Sequence, residues 1–428
     1  MKVLLLSNIV PNCISSYLGC PVSVFGGWID GMLDTIMVNS NLSFGFCVPL
    51  GNSTHGIIGQ NEYYGFKPGN PTEYNQELEA HFLKIVNRYQ PDIIDIFGTE
   101  YPHTLSMVNA CEKAGVLSHV IINIQGLVSV YSENSHVFAS LPQSVIKACT
   151  FRNFVKHDGL RSMQRRLKAS GEFEKEAIKK VENIIGRTDW DYSCIKAINS
   201  KATYFFCGET LRTVFYESQK WSSATCKKHS IFISQTSSPI KGFHFLLEAM
   251  PNILSVFPDA HIFATGQNPC FDIPVWKQTA YQRYIVRLIS NYGLESKVTF
   301  TGQLDAGQMC NQYLESNVFV LPSSIENSPN SLGEAMLLGV PCVAACVGGV
   351  QSMMIHERDG YIYQHDAPYM LAYYVCKTFS DECRATELSK SAIEHASQSY
   401  SPEFNAMTLL NTYKTVCEKA NENFASMP

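Results

Sequence analysis

The sequence has no apolar run long enough to cross a membrane; no window approaches the roughly 18 uninterrupted apolar residues that a spanning helix needs. It also has no excess of charge of one sign. Lys and Arg number 33 against 38 Asp and Glu, a formal charge of −5 and too even a balance for a general nucleic-acid binder. Charged residues make up only 17% and apolar residues 45%, which excludes a disordered or fibrous chain. No fixed short repeat and no low-complexity segment is visible. Metal-ligand spacing is lacking too: the nearest cluster, Cys226-Lys227-Lys228-His229, has no second ligand pair, so no metal is expected. The opening Met1-Lys2-Val3-Leu4-Leu5-Leu6-Ser7 is short for a secretory leader and is not followed by a small-residue cleavage site, so a first strand is expected there. Cysteine is plentiful, at 15 residues, but scattered through apolar runs such as Phe206-Cys207 and Pro341-Cys342-Val343. These read as reduced core residues of a cytoplasmic protein.

What is present is length and alternation. At 428 residues the chain exceeds what one hydrophobic core usually organises, so two domains, with room for a cleft, are expected. Short apolar runs alternate with helical patterns, the signature of βαβ units and parallel sheets. Strands are predicted at Val3–Ile9, Phe44–Val48, Ile93–Phe97, Val120–Ile124, Asn183–Gly186 and Tyr204–Cys207. A second set follows at Ser230–Ile233, His261–Ala264, Val298–Phe300, Val318–Leu321 and Cys342–Ala345. The fold class is therefore α/β, with two doubly wound parallel sheets. The polar stretch Glu217–Lys228 lacks apolar periodicity and is expected to link a domain over 1–218 to one over 219–402. A helical pattern over about 403–428 is expected to pack back on the first domain.

The densest polar pattern follows the apolar strand Val318–Leu321. There the chain runs Glu326-Asn327-Ser328-Pro329-Asn330-Ser331-Leu332-Gly333-Glu334-Ala335-Met336, a loop and a helix start. Ser328 and Pro329 suit an N-cap and a first helical position, while Gly339 and Pro341 stop the helix. Leu332, Ala335 and Met336 share a face toward the sheet; Asn330, Ser331 and Glu334 fall on another. A helix N-terminus at a sheet's carboxyl edge offers free N–H groups to an anion, and flanking carboxylates can accept hydrogen bonds from vicinal hydroxyls. A nucleoside diphosphate bearing a sugar fits that chemistry.

The run from Glu326 to Pro341 closely resembles the E-x7-E signature of glycosyltransferase family 4, the glycosyl transferases group 1. That resemblance implies a GT-B fold, two Rossmann-like domains facing across a cleft. It also implies retaining transfer of a sugar from a UDP- or GDP-type nucleotide sugar to a hydroxyl, without a cofactor or metal. By the resemblance Glu326 contacts the donor sugar and Glu334 the nucleoside ribose. Amides near Ser331 and Leu332 would meet donor hydroxyls and phosphates, with Ser328 and Asn330 beside them. Further elements of the pattern follow in order. Lys241, in Pro239-Ile240-Lys241-Gly242, stands where the family neutralises the pyrophosphate. Gly266 and Gly302 end strands near the base or ribose, and Gly348 and Gly349 form the glycine loop by the donor. In the first half, Gly26 and Gly27 of Phe25-Gly26-Gly27-Trp28 resemble the loop near the phosphates and acceptor. Gln125 takes the place where many relatives carry a histidine, and His103 is a candidate for acceptor contact or proton handling.

Two departures qualify the match. The arginine that usually precedes the lysine is absent from Ser234-Gln235-Thr236-Ser237-Ser238, so Gln235 or a basic residue elsewhere, such as Arg187, is the expected substitute. Gly186-Arg187-Thr188-Asp189-Trp190-Asp191 resembles a segment of polysaccharide-type members, which places Asp189, Trp190 and Asp191 on the acceptor side. The Asp-x-Asp it contains belongs, as a metal motif, to the other main glycosyltransferase fold and is not read so here. Between Phe151 and Lys180 a basic, partly amphipathic region is either a solvated helix or a contact with anionic lipid, sensible for a glycan or lipid-linked acceptor at the cytoplasmic face of a membrane. Two rivals on the same fold stay open: a nucleotide-sugar epimerase or hydrolase, and a catalytically silent binding subunit.

Overall fold

The computed structural model describes residues 1–20 and 26–425. The chain divides into two compact units, one of Met1–Val130, Arg166–Arg212 and Tyr400–Pro428, the other of Tyr131–Arg165 and Thr213–Ser399.

The first unit is built on β1 (Lys2–Leu6), β2 (Ser43–Pro49), β3 (His55–Ile58), β4 (Asn61–Phe66), β5 (Ile93–Phe97), β6 (Val120–Asn123), β7 (Asn183–Gly186) and β8 (Thr203–Phe206). They form one sheet in the order β3-β4-β2-β1-β5-β6-β7-β8, parallel except for β3 against β4. Residues alternate between its faces: Leu4 and Leu6 fall in one buried apolar cluster, Val3 and Leu5 in the other. Both faces are covered, as an all-apolar parallel strand requires. The Pro402–Ala425 helix supplies Leu409, Tyr413 and Val416 to the second cluster.

The second unit carries β9 (Lys227–Ile233), β10 (His261–Ala264), β11 (Val298–Phe300), β12 (Ser316–Leu321), β13 (Cys342–Ala345) and β14 (Tyr361–Tyr363). All pair in parallel, in the order β11-β10-β9-β12-β13-β14. Counted within this sheet the order is 3-2-1-4-5-6, whose direction of winding reverses between β9 and β12. In the first sheet the corresponding reversal lies between β1 and β5.

Three strands escaped the sequence reading: β3, β4 and β14. The first two form a hairpin around Gly59 whose faces are only partly buried, and β14 has three residues. Their apolar runs are too short to show a period. The stretch Glu217–Lys228 is not a free tether. Trp221 is buried, donating its indole N–H to Ser316 O (2.8 Å) and its amide to Leu338 O (2.8 Å), and β9 begins at Lys227. Segment 131–165, which the sequence reading left in the first half, is fastened into the second unit. Ser324 Oγ donates to His136 O (2.6 Å), Thr150 Oγ1 donates to Gln278 O (2.8 Å), and the His244 ring meets Ala139 O (2.9 Å).

A buried carboxyl sits in the central part of the first unit's sheet. Asp95, in the middle of β5, is wholly buried and accepts from Tyr413 Oη at 2.6 Å. Burial pushes its carboxyl up to about 7, against the Tyr413 hydrogen bond, which holds it down. A carboxyl that keeps its proton to about pH 7 when folded but loses it near pH 4 when unfolded makes the folded chain the better proton binder between those values. Stability should therefore fall as pH rises through that window, by up to about 4 kcal/mol from this group. Urea unfolding at about pH 5 and about pH 7.5 should show a smaller difference in Asp95→Asn than in the parent chain. Equal differences would show that Asp95 does not hold the proton.

Candidate functional site

The second sheet's reversal point brings three loops together. The loop after β9 ends in a single 3-10 turn, Pro239–Lys241, and Gly242 follows with φ +69°. A Cβ on Gly242 would lie 1.8 Å from Pro322 O, so only glycine lets this loop touch the one after β12. Ser324 N–H donates to Ile240 O at 2.8 Å across the same seam. A similar contact joins the third loop: Gly349 N–H donates to Glu326 O (3.0 Å), and a Cβ on Gly348, φ +48°, would lie 1.8 Å from that oxygen.

At the centre of these loops Lys241 Nζ meets Glu326 Oε1 at 2.7 Å. Ser323 Oγ donates to the same oxygen at 2.7 Å. Glu326 is 7% exposed, and the Lys241 side chain keeps 28% of its surface. A small recess opens beside the pair, lined by Ser234, Gln235, Lys241, Ser323, Glu326 and Ser331. The Asn330–Leu338 helix begins at this recess. Its N-cap is Pro329, not Ser328, and no side chain caps it. Pro329 has a helical φ of −68° but an extended ψ of 112°, so the chain enters the helix one residue later than the sequence suggested, and Ser328 takes no capping role. Leu332 N–H is taken by Pro329 O at 2.9 Å. Of the two amides expected to face a ligand, only that of Ser331 therefore precedes the first turn's bonds. Asn330 Oδ1 is buried with no hydrogen-bond partner among the described residues, and Glu334 is buried one turn on.

Gly266 and Gly302 pair with each other across the ends of β10 and β11, with N–H to O distances of 2.9 and 3.2 Å. Thr236 Oγ1 reaches Thr265 O (2.9 Å), so these glycines back the loop that carries Gln235.

The first unit holds the other predicted residues, in two groups. At its own reversal point His103 Nε2 lies 2.5 Å from Asn8 Oδ1, and Asn8 Nδ2 donates to Glu100 Oε2 at 3.1 Å. Burial holds the His103 ring down to about 4, so it is neutral at pH 7, and Tyr101 stacks on it at 5.4 Å. Gly26, with φ +78°, starts the Gly27–Asn39 helix; a Cβ there would lie 1.9 Å from Ile9 Cδ1, and one on Gly27 would lie 2.4 Å from Arg212 Cγ. At both glycines an added Cβ would thus meet side-chain atoms, and Gly26 also holds a left-handed backbone. Phe25, part of the same motif, lies outside the described residues.

The second group is ionic. Arg187 Nη1 meets Glu209 Oε1 at 2.9 Å, both side chains almost wholly buried, and Nη2 donates to Asn123 Oδ1 at 3.1 Å. With its oxygen turned to Arg187 and its nitrogen to Glu209, the Gln125 amide bridges them at 2.8 and 2.9 Å. Burial raises the Glu209 carboxyl and the Arg187 charge opposes that rise. Arg187 is therefore not a free cation: within the first unit its charge is paired with Glu209. Sequence reasoning missed Glu209, whose one signal is its place just past β8, as Arg187 is just past β7. Asp189 is exposed, whereas Asp191 is wholly buried as the third residue of a capping box with Thr188 and also bonds Tyr204 Oη. Instead of facing an acceptor, the Asp191 carboxylate holds its own helix. Trp190 packs against the apolar cluster.

The glycine contacts are testable by stability. Gly302 has φ +75° and open space where a Cβ would go, whereas a Cβ on Gly348 meets backbone. Gly302→Ala should cost only the left-handed strain, about 1–2 kcal/mol, and Gly348→Ala distinctly more, measured by urea unfolding. Equal costs would mean that the Gly348 loop is not pressed on Glu326.

Residues 216–398 match the family model described as glycosyl transferases group 1. A putative glycosyltransferase, YtcC of Bacillus subtilis, is 28% identical over 200 residues, covering 46% of this chain and 48% of that protein. The chain thus spans about half the length of this curated relative. Among solved structures, sucrose-phosphate synthase from Thermosynechococcus elongatus superposes with a TM-score of 0.67 at 16% identity, over 97% of this chain and 99% of that one. HepE of Anabaena in complex with UDP-glucose superposes with a TM-score of 0.60 at 14% identity, over the whole of both chains. The chain therefore has the GT-B fold, and its second unit carries a glycosyl transferases group 1 domain.

Proposed function

We propose that this protein is a retaining glycosyltransferase that moves a sugar from a nucleotide-sugar donor to a hydroxyl acceptor, in polysaccharide or lipid-linked glycan assembly. The observation that carries the reading is the Lys241–Glu326 pair at the second sheet's reversal point, beside an uncapped helix N-terminus. The roles follow from charge. A donor diphosphate beside Lys241 and the Ser331 amide gains a cation and a helix N-terminus. Glu326, relieved of Lys241, accepts hydrogen bonds from sugar hydroxyls, and Glu334 those of the ribose. Attack comes from the face the diphosphate leaves: the acceptor oxygen bonds the anomeric carbon, the carbon–phosphate oxygen bond breaks, and the acceptor proton passes to the departing phosphate. Lys241 and the helix amide stabilise the charge that develops there, the part a metal takes elsewhere. The likeness to HepE, which holds UDP-glucose, makes a UDP-sugar the first donor to try. The acceptor belongs to the first unit in this reading, near His103 and Gln125.

Product analysis with UDP-, GDP- and ADP-sugars and glycan or lipid-linked acceptors tests the reading. Transfer should appear with one donor class and fall about 10²–10³-fold in Glu326→Gln and in Lys241→Met, the scale expected when one transition-state contact is lost. Donor consumed with no glycoside ever formed would point to a hydrolase or epimerase; undiminished turnover in both variants would remove these residues from the site.

A further inference from the structure

The short helix Phe151–Lys156 is turned inside out. Its residues at i, i+3 and i+4, Phe151, Phe154 and Val155, lie on one face and are 61%, 69% and 54% exposed. In an ordinary surface helix that spacing marks the side facing the core. Here the polar side is buried instead. Asn153 is 4% exposed, its Oδ1 accepting from Ala280 N–H at 3.0 Å, and Thr150 Oγ1 donates to Gln278 O at 2.8 Å. Arg152 Nη1 adds a bond to Lys277 O at 3.4 Å. These bonds fix the helix against the segment Val275–Lys277, whose own Val275 and Trp276 are 65% and 57% exposed. Two stretches more than a hundred positions apart are thus locked together within one unit, each presenting large apolar side chains outward.

Charge selects the partner. From Asn134 to Gly171 the chain carries seven basic residues, Lys147, Arg152, Lys156, Arg161, Arg165, Arg166 and Lys168, and one acid, Asp158, in a protein whose net charge is −5. Asp158 is neutralised by Arg152 at 3.0 Å. Lys147, Lys156 and Lys277 are exposed, and Lys277 Nζ lies 4.8 Å over the Trp276 ring. Exposed aromatic side chains on segments that also carry exposed lysines match the boundary of an anionic bilayer, where rings settle at headgroup depth and each nearby basic residue adds attraction. We infer that the face formed by Phe151, Phe154, Val155, Val275 and Trp276 docks this protein on an anionic lipid surface. The longer helix Leu160–Lys180 contributes charge only, since its Leu160, Ala177 and Ile178 are buried. This inference does not depend on the sugar chemistry: docking and transfer can each fail without the other.

Flotation of the full chain with phosphatidylcholine vesicles, with and without phosphatidylglycerol, tests it. Binding should require phosphatidylglycerol, weaken with salt, and drop at least about tenfold in Phe151→Ser/Phe154→Ser/Trp276→Ser and in Lys147→Glu/Lys156→Glu/Lys277→Glu. All six substituted positions are solvent-facing, so thermal unfolding should be nearly unchanged, and that measurement separates lost docking from lost fold. Failure of the parent chain to float with phosphatidylglycerol overturns the inference, as does undiminished flotation of both variants. Self-association of the parent chain in sedimentation equilibrium that the aromatic variant abolishes, with no flotation, would assign the face to a second copy of this chain.

Discussion

The contact between Lys241 and Glu326 has few ways to form. The two residues lie 85 positions apart, on loops after β9 and β12, and only a sheet that reverses its winding between those strands leaves a gap at its carboxyl edge for both. The gap is then closed from two sides by contacts that tolerate no side chain: Gly242 against Pro322 O and Gly348 against Glu326 O. A nearly buried carboxylate beside a half-buried ammonium would be costly if either were missing. The same pair stays open to a recess where a polyanion could take the lysine and hydroxyls the carboxylate. Stability and ligand chemistry therefore draw on the same two side chains.

The first unit solves a related problem differently. At its own reversal point Glu100 is held by Asn8, and Asn8 by the buried His103. Burial raises the Glu100 carboxyl and holds the His103 ring down, unlike the half-buried charge of Lys241 at the other reversal point. The one strong cation nearby in sequence motif, Arg187, is paired with Glu209 and satisfied on three sides. That arrangement supports the proposal that the first unit meets a hydroxylated acceptor rather than a phosphate.

Much of the fold could be read from the chain because long apolar strands such as Ile93–Phe97 and Val318–Leu321 are buried on both faces and leave unmistakable runs. The β3–β4 hairpin and β14, with partly exposed or very short runs, leave none. The candidate site was legible where residue types stand at fixed spacing, as from Glu326 to Glu334, and illegible where it depends on pairing across the fold. Glu209 became visible only once β7 and β8 lay side by side. Asp191 illustrates the opposite failure: an acid beside a tryptophan read as ligand-facing, while its distance of three residues from Thr188 is the spacing of a capping box. The inverted helix at Phe151 was likewise hidden, since apolar residues at i, i+3 and i+4 look the same whichever way the helix is turned.

The most direct test is a structure of the protein with a bound UDP-sugar. The account predicts the diphosphate within hydrogen-bond distance of Lys241 Nζ and the Ser331 amide, with Glu326 turned from the lysine to a sugar hydroxyl. A nucleotide bound elsewhere, with the Lys241–Glu326 pair intact at its present 2.7 Å, would contradict it.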